Sequence, residues 1–190
     1  MTLHEPLPPD TARRTFLEGL GDESAQMQFS VPIYALSVPE LGTDADVLRP
    51  RAVGWNFLAV DSTGAVVAGE VPNGPDDPGS SQRITTSLSY GFLIDAAREA
   101  YRQVIEHPEL KAETIQIRRL RICELRIEAF WLKAAPFDDR LGENDRVYAF
   151  LAFQPELKNK LVPTDAFLKI VRRLAASSAR IDNKPRLSRR

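Results

Sequence analysis

The chain has 190 residues, is 43% hydrophobic and 27% charged, and carries a formal net charge of −1; this suits one domain with an ordinary core and excludes a global field drawing the molecule to nucleic acid or an acidic membrane. Its single cysteine, Cys123, excludes an intramolecular disulfide and a cysteine-rich zinc site. The first twenty residues contain no apolar leader core and no segment reaches about 18 uninterrupted apolar residues, so the expectation is a soluble cytoplasmic protein without a membrane span.

Residues 1–9 are proline-rich and are expected to form a flexible N-terminus. Asp10 is placed to cap a short helix reaching about Leu20, which Gly19 and Gly21 would end. From Met27 to Val38 the alternation of Phe29, Val31 and Ile33 predicts a strand. Pro32 has no N–H to give a ladder, so this strand belongs at an edge or carries a bulge. Pro39 to Pro50 reads as a loop. Arg51 to Asp61 and Ala65 to Val71 predict a hairpin, with Gly64 free to take positive φ in its turn. Pro72 to Gln82 breaks the pattern as a long loop.

Leu88 to Glu106 predicts a helix whose Phe92, Leu93, Ala96, Ala97, Ala100, Tyr101 and Val104 share one face, stopping before Pro108. A central hairpin from Glu113 to Lys133 follows, then an acidic loop from Pro136 to Asp145 and a sixth strand from Arg146 to Phe153. Thr164 is placed to cap a last helix carrying Phe167, Ile170, Val171 and Leu174, fading by Arg180. The order predicts an α+β fold: a twisted, mainly antiparallel sheet of about five or six strands packed with two longer helices, in one domain over residues 10–179.

The central hairpin is the most informative stretch. Pairing residues whose numbers sum to 247 sets Ile122 against Leu125, Leu120 against Ile127, Ile117 against Phe130 and Ile115 against Leu132. On both strands the apolar residues then change side at the same level. Either matching bulges rotate the strands together, or the sheet is covered on opposite sides at its two ends. Cys123–Glu124 is a poor two-residue turn, which leaves room for a wider loop or a single bent strand.

This register places Arg121 opposite Arg126 and Arg119 opposite Glu128, with Glu124 as an acid available between the guanidiniums. Arg119, Arg121 and Arg126 are therefore a candidate anion or partner-contact site. The commoner arrangement is a solvated surface of cross-strand ion pairs, each worth at most about 1 kcal/mol.

Little else carries chemistry. His4 and His107 are the only histidines, and neither has a second ligand at metal spacing. Phosphate-binding, dinucleotide-binding and nucleophile-elbow loops are absent, so no cofactor is expected. A lone cysteine such as Cys123 is more often packed than reactive. The pairs Asp76-Asp77 and Asp138-Asp139 would serve acid–base chemistry only if they converged. Pro136-Phe137-Asp138-Asp139 followed by Glu156-Leu157-Lys158 resembles the motif of the PD-(D/E)xK nucleases over residues 136–158, departing from it where Pro155 interrupts the second strand. That resemblance implies Asp138, Asp139 and Glu156 as Mg²⁺ ligands and Lys158 beside the attacking water.

From Lys169 onward there are eight basic residues and one acid, Asp182. Residues 180–190 are expected to be a flexible basic tail, in which Arg180, Lys184, Arg186, Arg189 and Arg190 could bind phosphates without base specificity. The residues together favour a binding or assembly module without catalytic activity, contacting a protein partner or a second copy of itself. The contact surface would be the arginine-bearing sheet face or an exposed edge near Pro32. A nucleic-acid binder acting through the tail and a metal-dependent hydrolase using residues 136–158 are the alternatives.

Overall fold

A computed structural model describes residues 1–42, 48–73, 87–89 and 92–182. The strands are β1 (Thr2–Leu3), β2 (Gln26–Ala35), β3 (Arg51–Val60), β4 (Val66–Pro72), β5 (Ser87–Ser89), β6 (Thr114–Ile122), β7 (Ile127–Ala134), β8 (Arg146–Leu151) and β9 (Leu161–Pro163). The helices are α1 (Asp10–Leu20), α2 (Val38–Leu41), α3 (Phe92–Glu106) and α4 (Thr164–Asp182). They form an α+β fold around one mixed, mostly antiparallel sheet in the order β5-β4-β3-β2-β6-β7-β8-β9, with β1 also on β6. The expected count of five or six strands is corrected to nine among the described residues. The six longer strands stand where alternation placed them, and β1, β5 and β9, two or three residues each, are too short to carry a period.

Several local expectations also change. Thr2–Leu3 pairs in parallel with Thr114–Ile115, so the N-terminus is not wholly without structure. Asp10 is the first residue of α1 rather than its cap, which is Pro9; its charge still suits the helix dipole there. Gly21, at φ 69°, ends α1 with its N–H on the carbonyls of Leu17 and Glu18. Thr164 opens α4 without capping it, its Oγ1 buried and lacking a hydrogen-bond partner among the described residues. The Asp61–Gly64 turn forms as expected, with Gly64 at φ 84° and Asp61 Oδ1 accepting from Thr63 and Ala65 N–H.

β2 is an interior strand between β3 and β6, which corrects the edge placement around Pro32. The bulge alternative holds: the β2–β3 register shifts at Met27/Phe29 and at Ile33/Tyr34. The parallel ladder to β6 begins only at Ile33, directly after Pro32. Below that point β1 occupies the flank of β6. A proline inside the sheet is tolerated because the β6 ladder does not extend to it.

Strand alternation divides the core. On one face Leu120, Ile122, Ile127, Ala129, Trp131, Val147 and Ala149 pack with Phe167 and Val171 of α4. Ala12 and Phe16 of α1 pack with Phe57, Ala59 and Val71 at the β3–β4 end. On the other face Ile115, Ile117, Phe130, Leu132, Tyr148 and Phe150 pack with Ala100 and Val104 of α3. Among the described residues no helix is long and apolar enough to cross a membrane.

The β6–β7 ladder pairs Ile115 with Ala134 through Ile122 with Ile127, without a register shift. Paired numbers therefore sum to 249, and the expected register is corrected by two residues. The cause is the turn. Cys123–Leu125 makes a 3-10 turn and Arg126 adopts φ 52°, ψ 46°, so four residues close the hairpin and Arg126 lies in the loop. A slip of two keeps every side chain on its expected face. Matching bulges are not needed: the sheet is covered on opposite sides at its two ends. The places left by the missing apolar residues hold charge on both faces, part-buried on the α3 face and buried on the other.

A candidate binding cleft on the curled face of the sheet

The first charged group lies on the α3 face. Arg121 stands opposite Glu128, not Arg126, and Arg119 opposite Phe130. Arg119 donates to Glu128 (2.8 Å) and pairs with Glu70 of β4 (2.9 Å). Arg121 donates through Nε to Glu128 (2.8 Å) and through Nη1 and Nη2 to the two oxygens of Glu70 (3.1 and 2.7 Å). Two guanidiniums and two carboxylates thus close a neutral quartet, and its acids are Glu70 and Glu128 rather than Glu124. Arg126, exposed at the turn, stands outside it.

The quartet records the shape of the sheet. β4 and β6 are three ladder steps apart, about 14 Å in a flat sheet. Glu70 reaches Arg121 because the sheet curls toward the α3 face. Burial alone would raise the Glu70 carboxyl; the Arg121 hydrogen bonds and the charges of Arg119 and Arg121 outweigh it and hold the carboxyl below its ordinary 4.5. Arg121 is likewise held charged by Glu70 and Glu128 against its own burial.

A small cavity of about 130 Å³ lies over the quartet, lined also by Asn56, Leu58 and Ala68 and roofed by Ile94 and Ala97 of α3. It shares Phe29 and Leu58 with a cleft of about 650 Å³ that runs along α3 past Asp95, Arg98, Glu99, Tyr101, Arg102, Ile105 and Glu106. Phe29 stacks on Tyr101 with centroids 4.4 Å apart, making the apolar wall. Arg102 is braced between Glu99 and Glu106, both at 2.6 Å, which fixes the rim. Ile105, 38% exposed, is one of three large apolar side chains left open to solvent among the described residues.

The second charged group lies on the opposite face and is buried. Arg118 is 2% exposed and lies between the rings of Tyr34 and Trp131, with its guanidinium carbon 4.9 and 4.7 Å from their centroids. It donates to Gln116 Oε1 and to the carbonyls of Phe137 and Asp138. Lys133, equally buried, meets Asp138 at 3.0 Å and Asp145 at 3.3 Å. Asp145 accepts from Trp131 Nε1, Ala134 N–H and Gly142 N–H. The acidic segment 136–145 is therefore a strap tied down by two buried cations.

Asp138 is paired with Lys133 and Arg140, and Asp139 accepts from Tyr34 (2.7 Å) and Arg118 (3.3 Å). Glu156 pairs with Arg173 of α4 at 2.6 Å. No group of three or more His, Cys, Asp or Glu side chains placed to hold a metal occurs among the described residues. Cys123 is exposed at the hairpin turn rather than packed. His4 lies against Phe137 with centroids 4.4 Å apart. α4 runs on to Asp182, two residues past the expected end. Lys184, Arg186, Arg189 and Arg190, like Asp76 and Asp77, lie outside the described residues. No protein-family model, curated protein or solved structure matches this chain.

Proposed function

We propose that this chain is a non-catalytic binding module that holds an extended segment of a partner polypeptide in the cleft beside α3. The observation that carries the reading is the cleft itself: an apolar wall of Phe29, Leu58, Tyr101 and the exposed Ile105, bordered at each helical turn by charge. Residues 95–106 of α3 give it a length of about 16 Å, room for about five extended residues. An elongated trough with an apolar floor and a charged rim at regular spacing suits a peptide, whose side chains alternate and whose backbone needs polar partners throughout. The arginine-bearing sheet face expected from the sequence enters this reading as one end of the cleft, with Arg126 left out.

The test is selection of short peptides from a displayed random library on the immobilised protein, followed by binding to the wild type and to Ile105→Glu. Ile105 is already open to solvent, so the substitution should leave the thermal midpoint within a few degrees of wild type. Selected peptides should bind with micromolar dissociation constants and lose roughly tenfold to a hundredfold on Ile105→Glu, the equivalent of about 1.5–3 kcal/mol of apolar burial. Peptides that bind both proteins equally would place the contact elsewhere.

A further inference from the structure

We infer that the quartet end of the cleft receives an uncharged amide, from an Asn or Gln side chain or from peptide backbone, and turns away a lone carboxylate or cation. The inference rests on the cleft reading above and adds what the cleft selects. Glu70, Arg119, Arg121 and Glu128 line the small cavity, their side chains 27%, 11%, 22% and 16% exposed, and their charges sum to zero. Each has its counter-ions within 2.7–2.9 Å. A single charge entering this cavity would shed its water and find no unspent opposite charge; it would have to break a part-buried pair and leave the displaced member alone. An amide faces no such cost, since it both donates and accepts and can add hydrogen bonds to groups that keep their own partners. The cavity volume of about 130 Å³ suits a group of that size. Asn56, 5% exposed and donating to the Gly69 carbonyl at 3.3 Å, already sets one amide on the same wall.

The experiment repeats the displayed-library selection on three proteins: wild type, Glu70→Gln and Arg119→Gln, each checked by circular dichroism, with Glu128→Gln replacing Glu70→Gln if the latter does not fold. The first variant leaves the quartet with a net positive charge and the second with a net negative one. On wild type, one peptide position should show all four charged residues depleted about tenfold. Enrichment of Asn and Gln there identifies a side-chain amide; equal tolerance of all uncharged residues identifies the backbone. At that same position Glu70→Gln should enrich Asp and Glu, and Arg119→Gln should enrich Lys and Arg. Wild-type enrichment of an acid or a base, or no position that responds to the variants, overturns the inference. Peptides that still depend on Ile105 in that case leave the cleft reading standing; peptides indifferent to Ile105 remove both.

Discussion

Tyr34 shows how one side chain couples the sheet to the strap. Its ring covers the Arg118 guanidinium, and its hydroxyl donates to Asp139 at 2.7 Å. Burial, then the hydrogen bond to Asp139, push the phenol up to about 12 from 10.0, against the lowering influence of Arg118. A group whose folded value is raised contributes stability that is complete below its unfolded value and is lost as pH climbs through the folded one. The window for Tyr34 is therefore pH 10 to 12, and two units correspond to on the order of 3 kcal/mol. Urea unfolding of wild type and Tyr34→Phe between pH 8 and 11.5 should show the wild type losing its advantage in the upper part of that range. Tyr101 and Tyr148 are also raised by burial, so the difference between the two proteins is the quantity to follow. A difference that stays flat with pH would mean that the Tyr34 phenol does not titrate in this way.

The β6–β7 hairpin shows what an element reveals through its sequence and what it withholds. Alternation located both strands and their faces, because facing depends only on parity, which a two-residue slip preserves. Register depends on the turn, and Cys123-Glu124-Leu125-Arg126 has no Gly or Asn to announce a left-handed position. That gap hid the strap network as well. In the true register Arg118 faces Trp131 and Gln116 faces Lys133, so the polar run on the apolar side reads as a cross-strand cluster only once the offset is known. The Asp138 and Asp145 carboxylates that oppose its charge, and the strap carbonyls that accept from Arg118, come from a loop without any period. Arg126 holds a conformation that costs a non-glycine residue about 1 kcal/mol or more. Arg126→Gly should therefore raise stability by roughly 0.5–1 kcal/mol in chemical denaturation, net of the entropy glycine loses on folding, and leave the proposed peptide binding at the cleft unchanged. A loss of stability would show that the arginine side chain contributes more at the turn than the backbone strain removes.

At the scale of the molecule, the cleft exists because the sheet curls, and the curl was not readable from strand pattern. Glu70 sits in an ordinary alternating strand, and nothing local says that it meets side chains three strands away. The quartet bridges that curvature, joining β4, β6 and β7. Its stability should follow acid pH with a definite sign. Glu70 is held below its ordinary 4.5 in the fold, so its contribution is present above pH 4.5 and is lost as pH falls through the lower folded value. At pH 7, Glu70→Gln should cost about 1–3 kcal/mol, since two guanidiniums lose a charged partner in a site shielded from water. Below pH 4.5 that cost should shrink, because protonation removes the same charge from the wild type. Urea unfolding of both proteins at pH 7, 5, 4 and 3.5 reads the difference directly. The other lowered carboxyls that Glu70 does not touch, such as Asp22 and Asp61, cancel in the subtraction. A cost that is the same at pH 7 and pH 3.5 would mean that the fold does not depend on the Glu70 charge, and the curvature would then have to be attributed to packing beneath α3 rather than to the ion pairs that bridge it.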